Sequence, residues 1–120
     1  MSFRFEKLDI WQRSRKFSVE IYKLTSDFPK SELFGLVSQL RRAALSIPLN
    51  IAEGSDKKFD KDFIRFLRIS IGSTEEVVTG LYIALDLGFM NEEKFKQLYD
   101  ETNLIVAKLN ALIKTLKGGH

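Results

Sequence analysis

The sequence predicts an all-α protein that folds as an antiparallel up-down-up-down four-helix bundle. Apolar residues recur at steps of three and four along four long segments, which is the period of an amphipathic helix. Only two prolines and seven glycines interrupt the chain, and the connections between the segments are short. Short connections make neighbouring helices antiparallel. We expect one domain over residues 1–120, ordered from about 6 to 117, with a short C-terminal tail.

The first two helices are predicted over residues 7–26 and 31–53. Phe28-Pro29 separates them, because a residue that precedes proline avoids the helical conformation. Ser31 is expected to cap the second helix, with Glu32 near the positive end of the helix dipole. The first helix has a wide apolar arc, so we expect it to contact more than one neighbour.

The third helix is predicted over residues 60–87, and the fourth from Asn91 to about residue 116. Asp60 is expected to cap the third helix, and Gly88 to end it. Asn91 suits the N-cap of the fourth helix, since its short polar side chain can accept a bond from a free amide.

A proline inside the second helix breaks the local rules. Pro48 removes one backbone hydrogen bond and crowds the carbonyl of Ala44. Such a proline costs about 3 kcal/mol relative to alanine, so its presence indicates special geometry. Gly54 follows six residues later, and we expect it to end the helix in the left-handed conformation.

Composition excludes several classes of function. The chain has no cysteine, which excludes disulfides, thiolate zinc sites and cysteine nucleophiles. Its one histidine is His120, whereas di-iron bundles need paired Glu-x-x-His motifs and Ser/His/Asp catalysis needs a histidine base. The amino-terminal segment Met1-Ser2-Phe3-Arg4-Phe5-Glu6-Lys7 lacks the apolar core of a signal peptide, and no apolar run approaches the roughly 20 residues that span a bilayer. We expect a cytoplasmic protein that contacts no membrane and holds no cofactor or metal.

The middle of the third helix carries Gly72-Ser73-Thr74-Glu75-Glu76. A glycine there costs about 1 kcal/mol relative to alanine, so it predicts a close approach of another helix. Pairing across the short turn places Arg41 and Arg42 level with Ser73 and Gly72. There a guanidinium could pair with Glu75 or Glu76 in bidentate fashion.

The same pairing places Asn50 and Glu53 beside the first turns of the third helix, where Glu53 could accept bonds from free amides. Three interpretations are open. These polar groups could fix register within the bundle or between subunits, or Arg41 and Arg42 could bind an anion or a nucleic acid. Glu53 or Glu76 could also be a catalytic carboxylate.

Positive charge is concentrated in the first half of the chain. Residues 1–68 carry 14 Lys/Arg and 9 Asp/Glu, whereas residues 69–120 carry 5 and 7. A basic ladder could bind a phosphate backbone in a salt-sensitive, sequence-independent way, although a solvated helix face has the same pattern. Three aromatic residues interleave with the ladder: Phe59, Phe63 and Phe66. Such a pattern could indicate base stacking, but the spacing of three and four predicts core positions instead. The ladder itself comprises Lys57, Lys58, Lys61, Arg65 and Arg68.

Several motifs occur together between Phe5 and about Leu116. They are Phe5-Glu6-Lys7-Leu8 with Trp11, Phe28-Pro29, Glu32-Leu33-Phe34-Gly35-Leu36, Gln39-Leu40-Arg41-Arg42-Ala43-Ala44, Ser46-Ile47-Pro48, Asn50-Ile51-Ala52-Glu53-Gly54, Phe66-Leu67 and Gly72-Ser73 with Glu76. In these motifs the chain resembles the four-helix bundle family encoded by intervening sequences of bacterial 23S ribosomal RNA genes. It departs at Ser70-Ile71-Gly72, where the family often has alanine and a polar residue.

The resemblance implies a homopentamer of bundles around a central channel, as in this family and in the related accessory proteins of diversity-generating retroelements. Those relatives hold nucleic acid on basic surfaces. The family motif covers Arg41 and Arg42, and the basic ladder adds the other nucleic-acid-binding candidates. The structural residues of the motif are Ser46, Pro48, Asn50, Glu53, Gly54, Gly72, Ser73 and Glu76.

The sequence thus favours a non-enzymatic, homopentameric bundle that binds structured nucleic acid, with ribosomal RNA as the first candidate. The alternative is a structural or protein-interaction module that binds no nucleic acid. An enzyme that uses Glu53 or Glu76 is a third hypothesis.

Overall fold

Four helices make up most of the structure, a computed structural model that describes residues 2–118. They are α1 (Asp9–Thr25), α2 (Ser38–Ser55), α3 (Asp60–Asp86) and α4 (Glu92–Leu116). The described residues contain no strand. The prediction of an all-α four-helix bundle is confirmed. Residues 119 and 120, which include the only histidine and most of the expected tail, lie outside the described residues.

The helices form a closed cycle of neighbours, since α1 and α3 each pack against both α2 and α4. Contacts between neighbouring helices run in opposite order along the two helices. Asp9 meets Lys108 and Glu20 meets Lys94, so α1 and α4 are antiparallel. Between α2 and α3, the chain likewise folds back on itself, as the polar contacts described below show.

The apolar faces of the four helices meet in one core. Its largest fully buried side chains are Phe17, Phe63, Ile21, Leu40, Ile47, Ile51, Leu67, Leu81, Ile105 and Leu109. In the part of the chain that the structure describes, no helix is both long enough and apolar enough to cross a membrane.

The approach to α2 differs from the prediction. Ser31 does not cap a long helix, because Lys30–Glu32 form a 3-10 turn and Leu33–Val37 a π-helical turn. Gly35 interrupts the helix with non-helical backbone angles, φ −112° and ψ −109°. α2 therefore begins at Ser38, seven residues later than predicted.

The other helix ends lie closer to the positions predicted from the sequence. Gly88 ends α3 with φ 78°, and Asn91 caps α4 by accepting a 2.8 Å bond from the Lys94 amide on Oδ1. Phe59 rather than Asp60 is the N-cap of α3, and Asp60 is its first residue. A carboxylate in that first turn still interacts favourably with the helix dipole. A 3-10 turn, Arg4–Lys7, stands where the first helix was expected to begin.

The close approaches of helices occur at Gly54 and Gly80. A Cβ at Gly54 would lie 2.7 Å from Phe66 Cβ and 3.3 Å from the Phe63 carbonyl oxygen, and one at Gly80 would lie 2.5 Å from Leu40 Cδ2. Two predictions are therefore wrong. Gly54 does not take a positive φ and stays inside α2, and a Cβ at Gly72 would meet nothing within 4 Å.

A hydrogen bond from α1 explains how α2 accommodates its proline. Pro48 has no N–H for the carbonyl of Ala44, which would otherwise be the acceptor one turn earlier. The Ser18 hydroxyl, buried on α1, donates a 2.8 Å bond to that carbonyl oxygen. Ala44 and Pro48 are themselves buried, so a free carbonyl here would be costly. The proline thus couples α2 to α1.

We expect Ser18→Ala to lower the free energy of unfolding by about 1–3 kcal/mol, because it leaves a buried acceptor unpaired. The loss should shrink when Pro48→Ala is also present, since the new amide can bond to the Ala44 carbonyl. Urea unfolding of the single and double variants measures both effects. Ser26→Ala, which removes an exposed hydroxyl bonded to a carbonyl of its own helix, is the control. Equal losses in the two backgrounds would contradict this account of Pro48.

Candidate nucleic-acid interface

Two cations converge on one aromatic ring where α2 passes into α3. Gly54 lets Phe66 approach α2, and Lys57 leaves the end of that helix toward the same ring. Lys57 Nζ lies 5.2 Å from the centroid of Phe66, and Arg65 Cζ lies 4.5 Å from it. Both distances allow a cation–π interaction. Positively charged side chains from the turn and from α3 therefore lie against the same ring. We call this region the α2–α3 corner (residues 54–68, with Arg4).

Arg4 also belongs to this corner, and the sequence did not indicate it. Its guanidinium lies 5.2 Å from the centroid of the Phe63 ring and donates a 3.3 Å bond to the Ser55 carbonyl oxygen. Arg4 precedes the first helical segment, where no periodicity predicts which element the chain contacts. No sequence signal available here could have placed it.

Phe59 lies on the surface of the corner. Its side chain is 57% exposed, and Lys58 Nζ lies 5.5 Å from its ring centroid. Phe63 is buried and Phe66 partly buried, so the prediction of core positions is right for Phe63 and wrong for Phe59. Helical spacing does not apply to Phe59, because its backbone is extended with φ −110° and ψ 139°.

The basic residues of α3 are exposed and form no ion pair with the carboxylates of residues 2–118. Lys61, Arg65 and Arg68 follow one another at helical spacing, and none lies within 4.0 Å of a carboxylate among the described residues. Lys57 has a single such contact, 4.0 Å to Glu53. Asp60 and Asp62 in the first turn reduce the positive charge near Lys61. Arg65 and Arg68, farther along the helix, are therefore expected to contribute most to the positive potential.

The ion pairs between helices lie elsewhere, in the groove between α1 and α4. They join Arg13 to Glu101 at 2.9 Å, Lys94 to Glu20 at 3.5 Å, and Lys108 to Asp9 at 3.1 Å. The hydrogen bond and the charge of Lys108 lower the pKa of the Asp9 carboxyl below its usual value. These cations form ion pairs that join two helices, unlike Lys61, Arg65 and Arg68 of α3.

Arg41 forms no ion pair with a described carboxylate of α3, so its predicted pairing with Glu75 or Glu76 is wrong. Its Nε donates a 2.8 Å bond to Thr25 Oγ1, and its guanidinium lies 4.8 Å from the Tyr22 ring centroid. Arg41 thus ties α2 to the end of α1. Arg42 is exposed and has no ion pair with a described carboxylate.

Serine hydroxyls connect α2 to α3 at mid-height, and the Asn50 side chain supports one of them from within α2. Ser73 Oγ donates to Ser46 Oγ at 2.8 Å, Asn50 Nδ2 donates to the same oxygen at 2.9 Å, and Ser70 Oγ donates to the Ile47 carbonyl at 2.9 Å. The two bonds between the helices pair residues of α2 with residues about one helical turn farther along α3 than the sequence predicted. Such directional bonds can fix the register of two helices.

The candidate catalytic carboxylates are both on the surface. Glu53 and Glu76 are exposed, and Glu53 faces Lys57 rather than the first amides of α3. The buried polar side chains within residues 2–118 are all hydroxyls of serine or threonine. Over the same residues, no group of three His, Cys, Asp or Glu side chains is placed to hold a metal ion.

The model of the 23S rRNA-intervening sequence protein family matches residues 6–111. The chain belongs to this family. The matched range contains the basic ladder and the proline and glycine motif of α2, and only Arg4 of the corner precedes it. No curated protein matches the chain in sequence.

The fold is similar to a crystal structure from Bacteroides thetaiotaomicron, that of a protein of unknown function from the S23 ribosomal protein family. The TM-score is 0.78 and the identity 24%, and the match covers 88% of this chain and 98% of the other. At this identity the likeness supports the fold alone.

Proposed function

We propose that the protein is a non-enzymatic, cytoplasmic homopentamer that binds structured nucleic acid, with ribosomal RNA as the first candidate. The observation that carries the proposal is the set of unpaired cations on α3, gathered beside Lys57 and Lys58 at the α2–α3 corner. Exposed Lys and Arg side chains without acidic partners are available to neutralise phosphates. The description of the family points to a ribosomal RNA context.

The non-enzymatic part rests on the chemistry of the interior. Catalytic acids and bases are usually held in partly closed sites where burial and neighbours tune them. Here the described interior polar groups are hydroxyls, mostly bonded to backbone carbonyls, and the two candidate carboxylates face solvent. This arrangement serves helix packing better than proton transfer.

Self-association is supported by an apolar groove between α1 and α2, whose floor and walls include Val19, Tyr22, Leu45 and Pro48. Val19 is 48% exposed and Leu45 42%, and Leu49 beside them is 56% exposed. Contiguous exposed apolar residues are typical of interaction surfaces. We propose a second copy of this chain as the occupant, as the family resemblance implies.

The test is binding of labelled ribosomal RNA fragments across a range of salt. We expect affinity to fall steeply with salt, and the triple variant Lys61→Gln, Arg65→Gln, Arg68→Gln to flatten the slope by about 0.7–0.9 per lost phosphate contact. The matched control instead removes two lysines from α4 and the lysine that follows it: Lys96→Gln, Lys114→Gln and Lys117→Gln. Arg41 stays intact in these variants, because it holds α1 to α2.

Light scattering of the free protein should give the mass of five chains. A single-chain mass would contradict the pentamer. Absence of binding at about 50 mM salt, where electrostatic attraction is strong, would favour the alternative of a structural or protein-interaction module. The apolar groove is the feature that favours this alternative, since it would then receive a different protein.

A further inference from the structure

Phe59 differs from the other exposed phenylalanines of the described chain in its surroundings. Single exposed apolar residues are common and need no explanation. Phe34 is 94% exposed and no described cation lies over its ring, and Phe3 stacks on Phe5 at 5.5 Å between centroids. Phe59 is 57% exposed, has the Lys58 ammonium beside its ring, and lies between Lys57 and Lys61 in the chain.

We infer that Phe59 is a stacking platform for an unpaired base, and that the ligand of the α2–α3 corner is a single-stranded segment of RNA or DNA. The inference rests on the proposed function, and it specifies which part of a structured nucleic acid is recognised. Loops, bulges and free ends have bases whose faces are open to an aromatic side chain. Within a regular duplex those faces are already covered by neighbouring base pairs.

The residues around Phe59 fit a site in which the ring stacks on a base and the neighbouring cations bind phosphates. A base on the open part of the Phe59 ring would place its flanking phosphates near the lysines on either side, Lys58 and Lys61. Lys57 and Arg65 lie over the Phe66 ring, with donors left to bind phosphate along the same strand. Combined stacking and phosphate contacts are the usual means of binding a single strand without reading its sequence.

The inference also explains why the ring is on the surface at all. The extended backbone of Phe59 turns the chain from α2 into α3, a position that polar residues commonly occupy. An apolar ring at this position gains nothing from the core. A stacked base would remove it from water.

The experiment measures fluorescence anisotropy of labelled oligonucleotides: single-stranded RNA, single-stranded DNA, and a blunt duplex of the same sequence. We expect wild type to prefer the single strands, and Phe59→Ala to weaken single-strand binding about tenfold or more. The slope of affinity against salt should not change, because no phosphate contact is lost. Phe59→Trp should bind at least as well as wild type. Phe34→Ala, which removes an exposed phenylalanine from the turn that precedes α2, should bind normally.

A loss in Phe59→Ala that is confined to single strands, with recovery in Phe59→Trp, supports the inference, and the RNA and DNA arms show which nucleic acid is preferred. Equal affinity for strand and duplex, with no effect of Phe59→Ala, overturns it. The proposed function still stands in that case if the triple variant of α3 weakens binding. A change in the mass of Phe59→Ala by light scattering would also overturn the inference, since Phe59 would then be a subunit contact.

Discussion

Gly54→Ala is expected to lower the free energy of unfolding by about 2–3 kcal/mol, as overpacking of a well-packed site does. The new Cβ would lie 2.7 Å from Phe66 Cβ and 3.3 Å from the Phe63 carbonyl oxygen. These atoms belong to the backbone of α3 or are attached directly to it, so rotation of a side chain cannot relieve the contact. The helices must move apart, and this cost exceeds the roughly 1 kcal/mol that alanine gains in helix propensity.

The other helix glycines are matched controls for this substitution. A Cβ at Gly80 would lie 2.5 Å from Leu40 Cδ2, 3.0 Å from Leu40 Cγ and 3.8 Å from Leu36 Cδ1. These are all side-chain atoms, so Gly80→Ala is expected to cost less than Gly54→Ala, whose new Cβ would also meet a backbone oxygen. A Cβ at Gly72 would meet nothing, so Gly72→Ala should stabilise the protein by about 0.5–1 kcal/mol. Denaturant unfolding of the three variants measures the order of their free energies of unfolding. A Gly54→Ala protein as stable as Gly72→Ala would show that α2 and α3 are not in close contact there.

Phe17→Ala is expected to cost about 3–5 kcal/mol, the usual loss for a phenylalanine removed from a packed core. The Phe17 side chain is 2% exposed and is among the largest buried in the protein. Because domains of this size are stable by only about 5–15 kcal/mol, the variant should unfold at much lower denaturant or temperature.

Phe34→Ala makes the same chemical change at a side chain that is 94% exposed, and we expect its effect to stay within about 0.5 kcal/mol. Chemical unfolding followed by circular dichroism compares the two variants at one protein concentration. Equal destabilisation would mean that Phe34 is covered in the assembled protein, and similar stability of both would mean that the core differs from that described.

Much of the fold could be predicted from the sequence, because apolar spacing reports which face of a helix is buried. The start of α2 could not, since the interruption comes from Gly35, and the spacing of apolar residues continues across it. The register between α2 and α3 was also wrong, for a physical reason. Gly54 was expected to end α2 in the left-handed conformation, whereas it stays helical and packs against α3. Residues of α2 therefore lie level with residues about one turn farther along α3 than predicted.

The exposed cations of the candidate site could be predicted individually, but not their partners. Adjacent residues on a helix point about 100° apart, so Arg41 and Arg42 face different neighbours although they share a motif. Arg41 contacts α1. Phe59 was assigned to the core because a spacing rule for helices was applied to a residue with an extended backbone.

The two sides of the bundle are held together by different forces. The groove between α1 and α4 is joined by ion pairs whose side chains are 30–70% exposed, and counter-ions weaken such pairs. α2 and α3 instead touch through glycine and buried hydroxyls, which ionic strength hardly affects. A high salt concentration should therefore weaken the contact between α1 and α4 before it affects the contact between α2 and α3. The α2–α3 corner itself would keep its shape at salt concentrations that weaken the proposed phosphate contacts.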